Sequence, residues 1–274
     1  MSMQMLLSAE TLKLHSAALS DRGQKRPINE DSVFQFSESI DGQEYIGLYI
    51  VCDGMGGHDA GEVASQLVVQ TLVAALGNLI VFDEQDGVAR AKRPFTPQLL
   101  KDWLENAIVE ANKAIHDLLK ESSVYRMGTT VNALLIYNDN AYIANVGDSR
   151  TYLWHKGAIE QITTDHSMVN EMVEANAITA EEAHTHQMRN IITRAVSGNK
   201  EMLGAIDIFE RPLLPGDKFL LCSDGLWSAY PDAGELSEHI AKADRPNDLC
   251  WQLVAEANQR DGSDNISAVA VFVA

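Results

Sequence analysis

The chain has few cysteines and no long apolar run. Its 274 residues include three cysteines, Cys52, Cys222 and Cys250, which lie far apart in the sequence. We therefore expect no disulfide framework, and we predict that each thiol is a small buried side chain in a reducing compartment. No segment reaches the roughly 18–20 uninterrupted apolar residues of a membrane span. Residues 1–14 lack the basic start of a signal peptide. These absences predict a cytoplasmic protein with no membrane association.

Basic residues are scarce compared with acidic residues. The chain has 21 Lys and Arg against 39 Asp and Glu, which gives a net charge of −18 at pH 7. Such an excess of negative charge repels nucleic-acid backbones and anionic lipids. We therefore expect no nucleic-acid partner and no membrane-surface role. Most of the carboxylates are expected to be solvated at the surface, but carboxylates are also the ligands that hard cations such as Mg²⁺ bind.

The hydrophobic pattern predicts an α+β fold. Strand-like segments lie at 12–20, 32–36, 45–52, 129–137, 141–146, 151–155, 159–163, 209–213, 218–222 and 266–273. Helical spacing is found at 62–79, 96–119, 236–243 and 247–259, and residues 167–190 form a polar helical excursion. Thr96-Pro97 is predicted to be the N-cap and the first-turn proline of the second of these helices. We interpret 83–94 as a surface loop and Asp41-Gly42 as a hairpin turn. The tight spacing of the strands favours antiparallel meanders, so we expect two antiparallel sheets with helical pairs on the outside. The four tryptophans are predicted to pack in the core or on the sheets; they are Trp103, Trp154, Trp227 and Trp251.

Acidic turns recur at the ends of the predicted strands. The acidic residues in these turns are Glu30, Asp31, Asp53, Asp224 and Asp264. If the strand ends converge, these carboxylates repel one another unless a divalent cation neutralises them. The alternative is that they are four unrelated surface turns, because Asp-Gly is a common turn dipeptide. The repetition favours a shared cation site.

Oxygen ligands without a histidine pair or a Cys-x-x-Cys motif favour Mg²⁺ or Mn²⁺ over zinc or copper. Two such ions can bridge and acidify one water, which is the chemistry of phosphoester hydrolysis. Arg26, four residues before Glu30, is the candidate for binding a phosphate, because its guanidinium matches phosphate oxygens bidentately. The alternative for Arg26 is a solvated surface side chain.

Seven short motifs occur in an ordered series along the chain. They are Asp21-Arg22-Gly23-x-x-Arg26-x-x-Asn29-Glu30-Asp31, Asp53-Gly54-Met55-Gly56-Gly57-His58, Met127-Gly128-Thr129-Thr130, Gly147-Asp148-Ser149-Arg150, Asp165-His166-Ser167, Ser223-Asp224-Gly225-Leu226 and Asp264-Asn265. Together they resemble the bacterial branch of the metal-dependent protein phosphatase 2C family, from about Leu12 to Val273. The resemblance implies a four-layer α-β-β-α sandwich, and we expect one catalytic domain over residues 1–274. Residues 165–205 correspond to the flap of that family.

The resemblance also implies a role for each site residue. Asp53 would bridge two Mn²⁺ or Mg²⁺ ions, and Asp224 and Asp264 would complete the shell of one. Glu30 and the carbonyl of Gly54 would serve the other ion, alongside waters. Asp31 would orient a metal-bound water, and Arg26 would bind the substrate phosphate. The implied reaction is single-step hydrolysis of phosphoserine or phosphothreonine. The chain lacks the Cys-x5-Arg loop of cysteine phosphatases, which agrees with the metal route.

The sequence departs from the family pattern at three places. Met55 stands where animal members have a histidine, and His58 lies three residues further on. The aspartate that binds a third metal in bacterial members is absent before Met127, where Glu121 is the nearby acid. Arg194-Ala195-Val196-Ser197-Gly198 carries one residue more than the usual flap segment. We interpret Asp148 as part of a turn that organises the sheet, and His184-Thr185-His186 as a polar helix end.

Three functions are compatible with these observations. The first is a serine/threonine protein phosphatase acting on phosphoproteins made by a bacterial Ser/Thr kinase. The second is a binding module of the same fold that recognises phosphoproteins without turnover. The third is another two-metal phosphoesterase, although the acidic composition disfavours a nucleic-acid substrate. The acidic residues at all five predicted positions favour the first. Nothing in the pattern indicates an obligate oligomer, so we expect a monomer.

Overall fold

The computed structural model describes residues 12–40, 44–56, 60–83, 86–121 and 126–274. Its strands are β1 (Leu14–Asp21), β2 (Ser32–Ile40), β3 (Glu44–Cys52), β4 (Gly54–Met55), β5 (Ile80–Phe82), β6 (Ala89–Ala91), β7 (Gly128–Thr129), β8 (Val131–Tyr137), β9 (Asn140–Val146), β10 (Arg150–His155), β11 (Ala158–Gln161), β12 (Asp207–Pro212), β13 (Lys218–Cys222) and β14 (Ile266–Val273). Its helices are α1 (Ala60–Leu76), α2 (Pro97–Glu121), α3 (Met168–Glu174), α4 (Ala180–Thr185), α5 (Lys200–Leu203), α6 (Asp224–Trp227), α7 (Ala233–Lys242) and α8 (Pro246–Arg260).

Two sheets lie face to face at the centre of the fold. One has seven strands in the order β12-β9-β8-β3-β2-β6-β5, and the other has five in the order β1-β14-β13-β10-β11. Neighbouring strands are antiparallel, except that β2 and β6 pair in parallel at Ile40 and Ala89. A small third sheet joins β4 to β7. Because β4 directly follows Asp53, this small sheet lies at the end of β3 where the acidic turns were predicted.

Side chains that alternate along the central strands divide the core into three layers. In β3, Leu48 packs under α1 and α2, whereas Tyr49 lies between the two sheets. In β13, Leu220 packs under α7 and α8, whereas Leu221 joins the layer between the sheets. All four side chains are fully buried. The strand period of two therefore builds an α-β-β-α sandwich, and the predicted four-layer fold is confirmed.

Several local predictions from the sequence are confirmed. Thr96 caps α2, because its hydroxyl accepts a hydrogen bond from the Leu99 amide at 3.2 Å. His186 caps the C-terminus of α4, so His184-Thr185-His186 is the polar helix end that was expected. The three cysteines are free and buried. Among the described residues, no helix combines the length and the apolar character needed to cross a membrane.

Other local predictions are wrong. The connector 83–94 is not only a loop, because β6 forms within it and pairs with β5. Apolar residues are few there, so the short strand left no clear pattern. Trp251 is not a core residue, since 60% of its surface is exposed on α8. The short helices α5 and α6 were also missed, and the Ser223-Asp224-Gly225 sequence that opens α6 has the composition of a turn. The predicted turn at Asp41-Gly42 lies outside the described residues.

Candidate metal centre

Two of the acidic turns meet at one end of the seven-stranded sheet. β2 and β3 are antiparallel neighbours, with Ser32 opposite Cys52, so Asp31 and Asp53 stand side by side at the strand ends. Burial raises the pKa of Asp53 well above its ordinary value, and the nearby charge of Asp31 raises it further. Two neighbouring buried carboxylates repel each other, so they need a nearby cation, or one of them stays protonated.

The other two acidic turns meet at the same end of the five-stranded sheet. Asp224 follows β13 and Asp264 precedes β14, and these strands are antiparallel neighbours. The two sheets are joined here by Ser223, whose hydroxyl donates a hydrogen bond of 2.8 Å to Asp31 Oδ2. The predicted residues are therefore brought together at one end of the sandwich. We refer to Glu30, Asp31, Asp53, Asp224 and Asp264 as the acidic cluster.

Asn265 fixes the loop that carries Glu30. Its side-chain oxygen accepts a hydrogen bond of 2.8 Å from the Glu30 amide. Its side-chain nitrogen donates to the carbonyls of Arg22 and Ile28 at 2.8 and 2.9 Å. One buried side chain thus holds three points of the 22–30 loop against the start of β14. The sequence singled out Asn265 only as the neighbour of Asp264, and the motif alone did not assign it this role.

Helix α1 holds the other side of the same loop. The Ser65 hydroxyl donates to the Glu30 carbonyl at 2.6 Å. Gly54 lies in the same tight space, because a Cβ on it would stand 2.3 Å from the carbonyl oxygens of Glu30 and Gly61. Only a glycine permits this approach. The backbone around Gly54, whose carbonyl is a predicted metal ligand, is therefore fixed by packing on both sides.

Asp31 is a buried acid with one oxygen satisfied and one without a partner. The Ser223 hydroxyl donates to Oδ2, whereas the buried Oδ1 has no hydrogen-bond partner in the part of the chain that the structure describes. Burial raises the pKa of Asp31 to about 7, with smaller contributions from the charges of Asp224 and Asp264. A carboxyl group with this pKa can accept or hold a proton near neutral pH.

Asp224 has similar electrostatic surroundings. Burial, followed by the charge of Asp264, raises the pKa of Asp224 to about 6. Its Oδ1 is another buried oxygen without a hydrogen-bond partner. The backbone of Asp53 is held tightly, since its carbonyl accepts hydrogen bonds from the Thr129 hydroxyl and the Thr130 amide, both at 2.9 Å. These hydrogen bonds fix the backbone that carries the Asp53 side chain.

Arg26 reaches the rim of the acidic cluster. Its guanidinium donates to Asp264 Oδ2 at 2.7 Å, and its side chain is 45% exposed. It is therefore not a free surface residue, which was the alternative interpretation of the sequence. The position at the edge of the cluster, with part of the guanidinium open to solvent, is compatible with the predicted contact to a phosphate.

Asp148 also lies beside the acidic cluster, which the sequence did not predict. It is only 3% exposed, and its Oδ1 has no hydrogen-bond partner. Burial and then the charge of Asp224 raise its pKa well above the ordinary value. The nearby Arg150 offsets this only in part, because Arg150 binds Asp165 at 2.7 Å and stacks on Trp227 at 3.6 Å. Asp148, predicted to be only an organiser of the sheet, is a buried acid with an unpaired oxygen.

A cavity of about 660 Å³ opens over this side of the cluster. Asp148, Asp224 and Asp264 line it from the sheet side, and flap residues including His184 and Arg189 line it from the other. The flap residues 165–205 contain α3, α4 and α5 and contribute no strand to either sheet. The cavity gives a substrate access to the acids.

Three of the departures from the family pattern can be located in the structure. Met55 pairs with Gly128 in the small sheet. Residues 194–198, the segment with the extra residue, lie beside β7, because Val196 and Thr129 exchange two backbone hydrogen bonds of 3.0 Å. Glu121 is exposed at the last position of α2. His58 and residues 122–125 lie outside the described residues.

The donor set fits hard divalent cations. The acidic cluster offers oxygen ligands only, and Asp31, Asp148 and Asp224 each have a buried oxygen without a partner. Raised pKa values show that negative charge is uncompensated there. Among the described residues, the one group of three potential ligand atoms within 4.8 Å of one another is elsewhere, at Glu235, His239 and Glu256. Waters must therefore supply part of each shell in the acidic cluster, as is usual for Mg²⁺.

The group at Glu235, His239 and Glu256 does not resemble a free metal site. Arg260 donates to Glu235 and to Glu256, so a guanidinium already neutralises both carboxylates. This cluster is an ion-pair network between α7 and α8.

Comparison with known proteins identifies the family. The family model for protein phosphatase 2C matches residues 23–254. The serine/threonine phosphatase stp of Listeria innocua is 35% identical over 261 residues, which cover 94% of this chain and 95% of that protein. The solved serine/threonine phosphatase of S. agalactiae is 32% identical with a TM-score of 0.82, covering 96% of this chain and all of that one.

A second solved structure bears on the metals. The catalytic domain of the phosphatase PstP, in complex with two manganese ions, is 34% identical with a TM-score of 0.78. It covers 96% of this chain and 99% of that one. The chain described here belongs to the protein phosphatase 2C family, as the sequence motifs predicted. It is a metal-dependent serine/threonine protein phosphatase, and therefore a hydrolase.

Proposed function

We propose that the acidic cluster holds two Mn²⁺ or Mg²⁺ ions and is the site at which phosphoserine and phosphothreonine are hydrolysed. Asp53 would contact both ions, Asp224 and Asp264 one of them, and Glu30 with the Gly54 carbonyl the other. The observation that carries this assignment is the convergence of the acidic strand ends, with Asp53 and Asp224 both held at raised pKa. When bound, the ions supply the positive charge that activates a water for attack on phosphorus.

The protein groups around the cluster have distinct roles in this proposal. Arg26 lies at the open rim, where its guanidinium can leave or share Asp264 and bind phosphate oxygens bidentately. Asp31 lies deeper, with its free Oδ1 available to orient the attacking water and to accept its proton. Ser223 fixes the Asp31 carboxyl group through Oδ2. The pKa of Asp31, about 7, suits proton transfer near neutral pH.

A cysteine nucleophile is disfavoured. All three thiols are buried, and burial raises the pKa of Cys222 and of Cys250 to about 12. The pKa of Cys52 is raised as well, with burial as the main cause. A thiolate is therefore scarce at neutral pH. This supports a direct attack by water over a phosphoenzyme.

The substrates are phosphoproteins, and we infer that a bacterial-type Ser/Thr kinase produces them. We further propose that the chain is a monomeric, cytoplasmic signalling enzyme with one catalytic domain over residues 1–274. The net charge of −18 supports a protein rather than a nucleic-acid substrate.

The test is phosphate release from a phosphothreonine peptide with EDTA, Mg²⁺ or Mn²⁺. We expect turnover with Mn²⁺ or Mg²⁺, none with EDTA, and a loss of at least roughly 100-fold in Asp53→Asn and Asp224→Asn. Glu238→Gln is the matched control, because Glu238 is an exposed acid on α7 that pairs with the exposed Lys242. Binding of Mn²⁺ by calorimetry without turnover would instead support the phosphoprotein-binding module. A bis-ester hydrolysed faster than the peptide would indicate a phosphodiesterase.

A further inference from the structure

A second and larger cavity lies against the small β4–β7 sheet, where Met55 and Gly128 line it. Its volume is about 1430 Å³, and it runs between α2 and residues 197–206, the end of the flap and the residue after it. We call it the α2–flap groove. It is larger than the roughly 300–1,000 Å³ of a typical small-molecule pocket. A groove of this size fits an extended stretch of polypeptide.

The charge of the α2–flap groove is opposite to that of the whole chain. Lys113, His116, Arg126 and Lys200 line it, and Glu105 is the acidic residue among its lining side chains in the described part of the chain. The chain as a whole carries a net charge of −18. Basic side chains collected on one surface of such a protein create a local positive potential that attracts anions.

These basic groups are available for a ligand. Lys113 reaches Glu110 at only 3.8 Å, and both side chains are more than 60% exposed, so this contact is worth little. Neither Arg126 nor Lys200 forms an ion pair with a residue in the described ranges. Val109, which also lines the groove, is 45% exposed and offers an apolar contact between the charges.

The walls of the groove are pre-formed. The side-chain oxygen of Asn112, on α2, accepts hydrogen bonds from the amides of Ser197 at 3.1 Å and Gly198 at 2.9 Å. Gly198 has φ +76°, and a Cβ on it would stand 2.8 Å from the backbone of His116. The flap backbone therefore lies directly on α2, and this contact needs a glycine. A ligand finds a groove that needs little ordering.

The groove opens beside the proposed catalytic site. Met55, Gly56 and Gly128 line its inner end, and Met55 follows Asp53 by two residues. The backbone of Val196 pairs with Thr129, whose hydroxyl binds the Asp53 carbonyl at 2.9 Å. A peptide whose phosphorylated residue is at the acidic cluster can therefore continue past Met55 into the groove.

We propose that the α2–flap groove binds an acidic segment of the phosphoprotein substrate that flanks the phosphorylated residue. The inference rests on the proposed phosphatase function and adds a preference for acidic substrates. Lys113 lines the groove from α2 and Lys200 lines it from the flap, and they contact the carboxylates of the segment. Exposed charges of this kind act mainly on the rate of encounter and on its salt dependence.

The experiment compares two phosphothreonine peptides of equal length, one with acidic residues and one with neutral residues on either side of the phosphothreonine. Phosphate release gives kcat/KM for each, and fluorescence anisotropy of labelled peptides measures binding in the same samples. The test variant is Lys113→Glu with Lys200→Glu. The control is Lys242→Glu with Arg245→Glu, which changes the net charge equally at exposed positions at the end of α7 and at the N-cap of α8 that do not line the groove.

We expect wild type and control to prefer the acidic peptide, and the test variant to lose roughly 3- to 10-fold of kcat/KM on that peptide alone. The preference should also shrink as NaCl is raised. Equal hydrolysis of both peptides by wild type would overturn the acidic docking site and leave the phosphatase assignment intact. An equal loss in the control would show a general charge effect and would also overturn it. If neither peptide is hydrolysed, anisotropy still decides whether the groove binds the acidic peptide.

Discussion

At the scale of single residues, Asp31 makes the metal-free protein sensitive to pH. Its folded pKa is about 7, whereas the unfolded chain has the ordinary value near 3.9. Between these values the folded state holds a proton that the unfolded state has lost, so stability is present at low pH and falls as pH rises towards 7. In EDTA, we expect wild type to lose roughly 1–2 kcal/mol of unfolding free energy between pH 6 and pH 8 from this group.

The measurement is thermal or urea unfolding at both pH values, compared with Asp31→Asn. The asparagine keeps an oxygen that can accept the Ser223 hydrogen bond but does not titrate. Groups far from the acidic cluster titrate identically in the two proteins, so the difference in pH dependence reports Asp31 together with its effect on the pKa of Asp53. Parallel pH profiles for the two proteins would contradict the prediction.

We expect Asp148→Asn to stabilise the metal-free protein and to weaken Mn²⁺ binding. Asp148→Asn removes a buried negative charge that raises the pKa of Asp53 and has an unpaired oxygen. In EDTA, the variant should therefore unfold at a higher temperature than wild type. Mn²⁺ affinity should fall roughly 10-fold, because a charge beside the ligands is lost. Calorimetry and thermal unfolding test the two effects, and unchanged Mn²⁺ affinity would return Asp148 to a purely structural role.

The acidic residues of the site differ in how clearly the sequence marks them. Glu30, Asp31, Asp53, Asp224 and Asp264 were found because each marks the edge of an apolar run, and the strand pairing brings them together. Asp148 lies in a Gly-Asp turn too, but its burial beside Asp224 depends on how β10 sits next to β13. That packing between distant segments has no local signal.

At the scale of elements, Asn112 connects α2 to the flap and, through it, to the small sheet beside Asp53. Its side-chain oxygen satisfies two backbone amides at Ser197 and Gly198. Asn112→Ala should cost about 1–3 kcal/mol of unfolding free energy, because both amides lose their acceptor. Asn112→Asp keeps an acceptor oxygen and should cost less. Urea unfolding measures the cost, and hydrogen exchange should rise at residues 197–198 in the alanine variant; equal effects of the two substitutions would contradict this role.

The elements themselves were largely predictable, and the reasons for the exceptions are physical. β14 is a nearly continuous apolar run that is buried throughout, and α2 buries one regular apolar face, so both patterns are visible in the sequence. β6 has three residues and is held by β5 and β2, so its pairing rather than its composition defines it. Trp251 is the opposite case: the apolar pattern of α8 predicted a packed side chain, but the side chain is exposed to solvent.

At the scale of the whole molecule, the balance of charge ties stability to divalent cations. The chain carries a net charge of −18, and its acidic cluster concentrates carboxylates at one end of both sheets. Ions that bind the folded state and not the unfolded chain stabilise it by mass action. A single site at 100 times its Kd contributes about 2.7 kcal/mol, so we expect Mn²⁺ to raise the Tm by roughly 5 °C or more.

Specific binding can be separated from general screening of the negative charge. NaCl at equal ionic strength screens surface repulsion without occupying the cluster, so it should produce a smaller shift. Asp53→Asn with Asp224→Asn should abolish the Mn²⁺-specific part, because both central carboxylates are gone, while leaving the salt effect in place. Glu238→Gln, an exposed change on α7, should keep the full Mn²⁺ shift. A Mn²⁺ shift that survives in the double variant would mean that the ions stabilise the fold by diffuse screening, and the acidic cluster would then lose its assignment as the metal centre.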